Sequence, residues 1–345
     1  MNRDAQSLAE FGSDPFPAAP APATARITRA DFHPPWWLAN RHLQTIVPNT
    51  LRSPLRVGLR RETVELPDGD FVHADWTPRA EGPVVVVLHG LEGNIRSPYA
   101  AGMLNALHEA GWRAVLLHFR GCSGVPNRLP RAYHSGDTEH FQVFVDRLRA
   151  AEPATPIAAV GFSLGGNALL KWLGETGDAA RLRAAVAVSV PFDLGVCARA
   201  MDEGFSKVYQ FRLMQRLKNS VKRKLAAGVA DFAPPPLDHM RTFVEFDDAI
   251  TAPLGGFKDA DDYYTRCSSR QFLRGIRTPT LILHAEDDPF MAPGVVPDAR
   301  ELSATTTLEI APHGGHTGFV EGFGFRGWRV WTERRIPEFL ASKLR

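Results

Sequence analysis

The chain has 345 residues, 44% apolar and 23% charged, with a formal net charge of +2. That balance suits a globular protein with a sizeable core and speaks against nucleic acid as a main partner. Three scattered cysteines, Cys122, Cys197 and Cys267, make neither a disulfide framework nor a Cys-x-x-Cys metal or redox pair.

Residues 1–30 read as a disordered segment, with Pro15, Pro17, Pro20 and Pro22 among Ala, Ser and Asp. The start of the chain lacks an apolar secretory core, and no window approaches the ~18 apolar residues that span a bilayer, so the expected location is the cytoplasm. Residues 31–345 read as one α/β domain. Its first stretch, through Trp36, Trp37 and Asn40-Arg41-His42-Leu43-Gln44-Thr45, reads as a segment that docks on the body by packing.

Two alternating runs split by Pro67-Asp68-Gly69 predict a hairpin over 61–76. Val84 to Leu88 is continuously apolar, as a strand covered on both faces should be. A helix follows from about Ser97, then a strand at 114–119, a helix at 137–150 and a strand at 157–160. Strand–helix alternation implies a parallel, doubly wound sheet. It stops at Pro191 and resumes at Thr280, so residues 191–270 should be a helical insertion covering the C-terminal edge of the sheet. A short helix near 297–302, a strand at 306–310 and a closing helix complete the chain.

The chemistry is concentrated at Gly161-Phe162-Ser163-Leu164-Gly165. Gly-x-Ser-x-Gly between a strand and a helix lifts the serine on a sharp turn, and the glycines remove Cβ atoms that would collide. Ser163 is the candidate nucleophile, and the Leu164 N–H a candidate oxyanion donor. A serine nucleophile needs a base, and the base a carboxylate. His316 and Asp288 follow later predicted strands, giving the chain order Ser, Asp, His on one sheet edge. His316 is preferred to His313 because it lies deeper in the Gly-rich turn. Asp288 is preferred to Asp287 because Pro289 turns the loop back, and Asp193 is an outside alternative. The loop His89-Gly90-Leu91-Glu92-Gly93 offers the second oxyanion donor, the Leu91 N–H, with His89 as a structural residue. Ser123 fails the elbow spacing, and Cys122 reads as a packed loop thiol.

In the insertion Phe211, Met214, Leu217, Val221 and Leu225 recur at helical spacing among Arg212, Arg216, Lys218, Lys222, Arg223 and Lys224. That predicts a lid helix with a solvated charged face, with weak contact to an anionic membrane surface as the alternative.

Four stretches carry a resemblance: Asn40 to Thr45, Phe119 to Gly124, Gly161 to Asn167, and the run from Asp247 through Gly256-Phe257, Asp262-Tyr263-Tyr264, Ser268, Ile276 and Pro279 to Asp287-Asp288. In these the chain resembles the α/β-hydrolase fold, and within it the YheT-like esterases, related to the eukaryotic ABHD lipid hydrolases. The resemblance implies a Ser163–Asp288–His316 hydrolase acting on small-molecule carboxylic esters of short, medium or lipid-like acyl groups. Acyl transfer or thioester cleavage by the same triad, and a non-catalytic lipid-binding module, are the alternative functions. Nothing in the motifs calls for a metal or an organic cofactor.

Overall fold

The computed structural model describes residues 26–52, 54–229, 233–322 and 327–344. The chain opens with β1 (Arg26–Arg29) and α1 (Arg41–Leu51), then the hairpin β2 (Arg60–Glu65) and β3 (Phe71–Trp76). Strand and helix then alternate through β4 (Val84–Leu88), α2 (Pro98–Glu109), β5 (Arg113–Leu117), α3 (Glu139–Ala151), β6 (Ile157–Phe162), α4 (Leu164–Thr176) and β7 (Ala184–Val188).

A helical stretch follows: α5 (Leu194–Ala200), α6 (Ser206–Ala226), α7 (Phe243–Phe246), α8 (Ala252–Gly255) and α9 (Ala260–Cys267). Then come β8 (Thr280–Ala285), β9 (Thr306–Ala311), the short ribbon of β10 (Val320–Glu321) and β11 (Arg329–Val330), and α10 (Trp331–Ala341).

Nine strands form one sheet in the order β1-β9-β8-β7-β6-β4-β5-β3-β2. All pairings are parallel except β2 with β3 and β3 with β5. The valine run of β4 explains its place. Val84, Val86 and Leu88 enter one apolar cluster with Phe141, Phe144 and Trp172, while Val85 and Val87 enter the opposite one with Met103, Leu104 and Trp331. Helices on both faces leave no wet side, so polar alternation is absent. Parallel strands then point their C-terminal ends at one edge, where the loops after β4, β6, β8 and β9 meet.

Part of the expected N-terminal disorder is corrected. Residues 1–25 lie outside the described residues, but Arg26–Arg29 forms β1, registered parallel to Thr307–Ile310 of β9. Backbone pairing orders this stretch although all four of its side chains are exposed; Ala30 and Phe32 just beyond are buried and anchor it. The short helix expected near 297–302 is a set of turns instead. Among the described residues no helix is long and apolar enough to cross a membrane.

Candidate active site

Ser163 sits between β6 and α4 with φ 51° and ψ −118°. The sharp turn brings its neighbours too close for side chains. A Cβ on Gly161 would lie 2.5 Å from the Gly165 carbonyl oxygen, and one on Gly165 would lie 2.5 Å from that of His89. Only glycine fits at either place, which is the physical content of the motif. The Ser163 N–H is fixed to the Val188 carbonyl at 2.8 Å.

Facing it, the His316 Nε2 lies 3.0 Å from Ser163 Oγ, and its Nδ1 lies 2.9 Å from Asp288 Oδ2. A carboxylate only accepts, so Nδ1 carries the proton donated to Asp288, and Nε2 is left to accept from the serine hydroxyl. The second Asp288 oxygen accepts the Phe290 N–H at 2.9 Å. Phe290 also stacks on the His316 ring, centroids 3.9 Å apart and the planes nearly parallel at 3°. The imidazole therefore has one face covered and both nitrogens engaged.

The other candidates fall elsewhere. His313 pairs with Asp287 at 3.3 Å on the surface, and Asp287 also accepts the Gly315 N–H at 3.0 Å. Burial is the first cause that raises the Asp287 pKa. Asp193 caps α5 through the Val196 N–H at 3.0 Å. His89 is fully buried, its Nδ1 against the Gly90 carbonyl at 2.8 Å and its Nε2 accepting the Phe119 N–H at 3.2 Å. Desolvation pushes the His89 pKa down to about 3, so it stays neutral and structural. Burial likewise raises the Cys122 thiol well above its ordinary pKa, which makes it inert.

Leu91 and Leu164 line the same cavity as Ser163 and His316. The loop carrying Leu91 is braced at two points. The Gly90 N–H donates to the Tyr99 hydroxyl at 2.8 Å, and the Glu92 N–H to the Tyr133 hydroxyl at 2.8 Å, which itself donates to Glu92 Oε1 at 2.9 Å. Glu92 takes a left-handed φ of 51° within this brace.

The α1 segment does more than pack. Thr45 Oγ1 accepts the His316 N–H at 2.9 Å, and the Gln44 amide makes two bonds with the Val320 backbone, at 3.0 and 2.8 Å. Gly315 and Gly318 press so close to α1 that a Cβ on either would meet its backbone, at 2.5 Å from Arg41 O and 2.0 Å from Gln44 O. The loop carrying His316 is thus seated on α1, a role for Gln44 and Thr45 that only the contact across the fold reveals.

Ser163 and His316 stand on the wall of a cavity that opens to solvent. Its apolar wall comes largely from the helical stretch, including Met201, Leu217, Val221, Phe243, Phe246 and Ile250. Asn167 ties α4 to that stretch, donating to the Ser135 and Cys267 carbonyls at 3.0 and 2.8 Å and accepting the Ser269 N–H at 2.9 Å. The expected apolar face of α6 is corrected at its ends. Met214, Leu217 and Val221 are buried, but Phe211 is 64% exposed and Leu225 38%. The buried stripe runs through Gln210 and Lys224, and Phe211 and Leu225 each sit one residue, about 100°, beyond it. Lys218 and Lys224, expected on the solvated face, are buried. Among the described residues no group of three or more His, Cys, Asp or Glu side chains could hold a metal.

Residues 83–323 match the family model of the alpha/beta hydrolase fold. The chain is 44% identical over 321 residues to the "Putative esterase YheT" of Escherichia coli (strain K12), covering 91% of this chain and 94% of that protein. It is 28% identical to the mouse (Mus musculus) phospholipase ABHD3, covering 90% and 78% of the two chains. Among solved structures, the Pyrococcus furiosus esterase Pf2001 matches in fold with a TM-score of 0.55 at 14% identity, over 85% of this chain and 99% of that one. Sheet order, strand ends and matched residues agree, and the chain belongs to the alpha/beta hydrolase family, alongside the YheT-like proteins.

Proposed function

We propose that the protein is a serine hydrolase that cleaves carboxylic esters through an acyl-enzyme. Ser163 Oγ attacks the ester carbonyl carbon as His316 Nε2 takes its proton. Asp288 holds the Nδ1–H tautomer and stabilises the imidazolium. The Leu91 and Leu164 N–H groups receive the carbonyl oxygen as it gains charge. His316 returns the proton to the leaving alcohol as the carbon–oxygen bond breaks. A water then loses its proton to His316 and attacks the acyl carbon, which releases the acid and restores the serine. The base contributes roughly 10²–10⁴ in rate and one oxyanion donor about 10²–10³.

The single observation behind this assignment is the hydrogen-bonded line of Ser163, His316 and Asp288, at 3.0 and 2.9 Å, opening into a largely apolar cavity. An apolar wall suits short to medium acyl chains or lipid-like esters, and relatives named esterase and phospholipase fit that class. Rates with p-nitrophenyl esters of increasing chain length test it. Turnover that falls at least ~10³-fold in Ser163→Ala is expected. Undiminished turnover in that variant would overturn the assignment.

A further inference from the structure

Lys224 lies on the buried stripe of α6 with 8% of its surface exposed. Its Nζ donates to the carbonyls of Pro130 and Arg131, both at 2.7 Å. An ammonium has three N–H donors, so one is left over. Among the described residues Lys224 makes no ion pair. Asp70, the acid that acts on it most, is engaged by Arg120 at 3.0 Å and by Asn127. Burying a cation against neutral carbonyls alone is unfavourable, and buried charges are normally paired. Desolvation pulls its pKa down to about 8.

This lysine lines the cavity onto which Ser163 and His316 open. Arg223, exposed at its rim, lines it too; among the described residues it makes no direct ion pair, its guanidinium donates to Ser220 Oγ at 3.0 Å, and Glu92 is the acid its charge acts on. Arg120, a third cation of the wall, is matched by Asp68, Asp70 and Glu139. The wall carries two acids, Glu92 and Asp247. Each accepts a tyrosine hydroxyl, from Tyr133 and Tyr264, and burial raises the pKa of both, that of Asp247 to about 6. A cation therefore waits in the substrate cavity without a counter-charge of its own.

We propose that Lys224, with Arg223 beside it, binds an oxyanion, a carboxylate or a phosphate, carried by the ester substrate away from the bond that is cleaved. Lys224 is then a specificity residue that selects anionic esters over neutral ones of the same length. The proposal rests on the hydrolase assignment above.

Two matched pairs of esters test it with wild type, Lys224→Met and Lys224→Arg. One pair is p-nitrophenyl hexanoate against the mono-p-nitrophenyl ester of adipic acid, which places a carboxylate at the end of the acyl chain. The other is hexanoylglycerol against hexanoylglycerol phosphate, which places the anion on the alcohol side. Wild type should favour the anionic member of at least one pair by tenfold or more in kcat/KM, and the favoured pair identifies the anion. Lys224→Met should bring that ratio close to one, and Lys224→Arg should keep part of it. An equal rate for both members in both pairs overturns the proposal without reference to any variant. An equal loss on both members in Lys224→Met also overturns it, since Lys224 would then be only a brace for the carbonyls of Pro130 and Arg131. Inhibition by inorganic phosphate that depends on Lys224, with no gain for either anionic ester, overturns it in favour of a free-anion site. If folded wild type cleaves none of the four esters, the hydrolase assignment itself fails and takes the proposal with it.

Discussion

Two histidine–aspartate pairs lie next to each other in the same two loops. The inner pair, His316 and Asp288, is 2.9 Å apart with side chains 9% and 0% exposed. The outer pair, His313 and Asp287, is 3.3 Å apart with side chains 48% and 17% exposed. Residue types and loops are the same, so chemistry is decided by surroundings. The inner histidine meets a serine on its second nitrogen, a ring on its face and the Thr45 hydroxyl on its backbone. The outer one meets water, where an ion pair contributes only ~0–1 kcal/mol. Asp287 is spent on the Gly315 N–H, so the outer pair staples the turn on which the inner histidine rides.

Exchanging the roles should fail, and the size of the failure grades the comparison. The largest contrast is expected at the bases: His316→Ala should lower kcat by at least ~10⁴-fold and His313→Ala by less than about threefold, read from ester hydrolysis. Next come the acids. Asp288→Asn should cost about 10²–10⁴-fold in kcat by disturbing the tautomer, whereas Asp287→Asn, whose amide oxygen still accepts the Gly315 N–H, should cost less than about tenfold. A similar loss in both would erase the distinction. Smaller again is Thr45→Val, which leaves the buried His316 N–H without its acceptor; kcat should fall about tenfold with KM nearly constant.

The smallest effect concerns a half-buried acid that has no histidine at all. Asp247 is held by the hydroxyls of Thr251 and Tyr264, and burial raises its pKa from 3.8 to about 6. A carboxyl whose folded pKa is raised stabilises the fold least when ionised. Its contribution is present below about 4 and lost as pH climbs through about 6. Asp247→Asn should therefore gain in Tm relative to wild type between pH 4.5 and 7, as thermal melts across that window will report. A constant difference would contradict the shift.

How much of this was legible in the chain follows from range. The elbow is local: Gly161 and Gly165 flank Ser163, and the steric need for glycine is written within five residues. Strand ends place Asp288 and His316, because a parallel sheet delivers every C-terminal end to one edge. The seat of His316 on Thr45 spans 271 residues, and no periodicity in α1 announces it. Phe290 stands two residues from Asp288, yet its stacking on His316 depends on two loops meeting. On α6 the apolar spacing suggested one stripe, while the true stripe ends on Lys224, because the cavity and the carbonyls of Pro130 and Arg131 receive a cation there. Residues 26–29 were hidden for a similar reason: their order comes from β9, nearly three hundred residues away.

The most direct measurement is labelling with a fluorescent fluorophosphonate, wild type beside Ser163→Ala, His316→Ala and His313→Ala. The inner pair as the working pair predicts labelling in wild type and His313→Ala, and none in Ser163→Ala or His316→Ala. Labelling that survives loss of His316, or vanishes with His313, would contradict it.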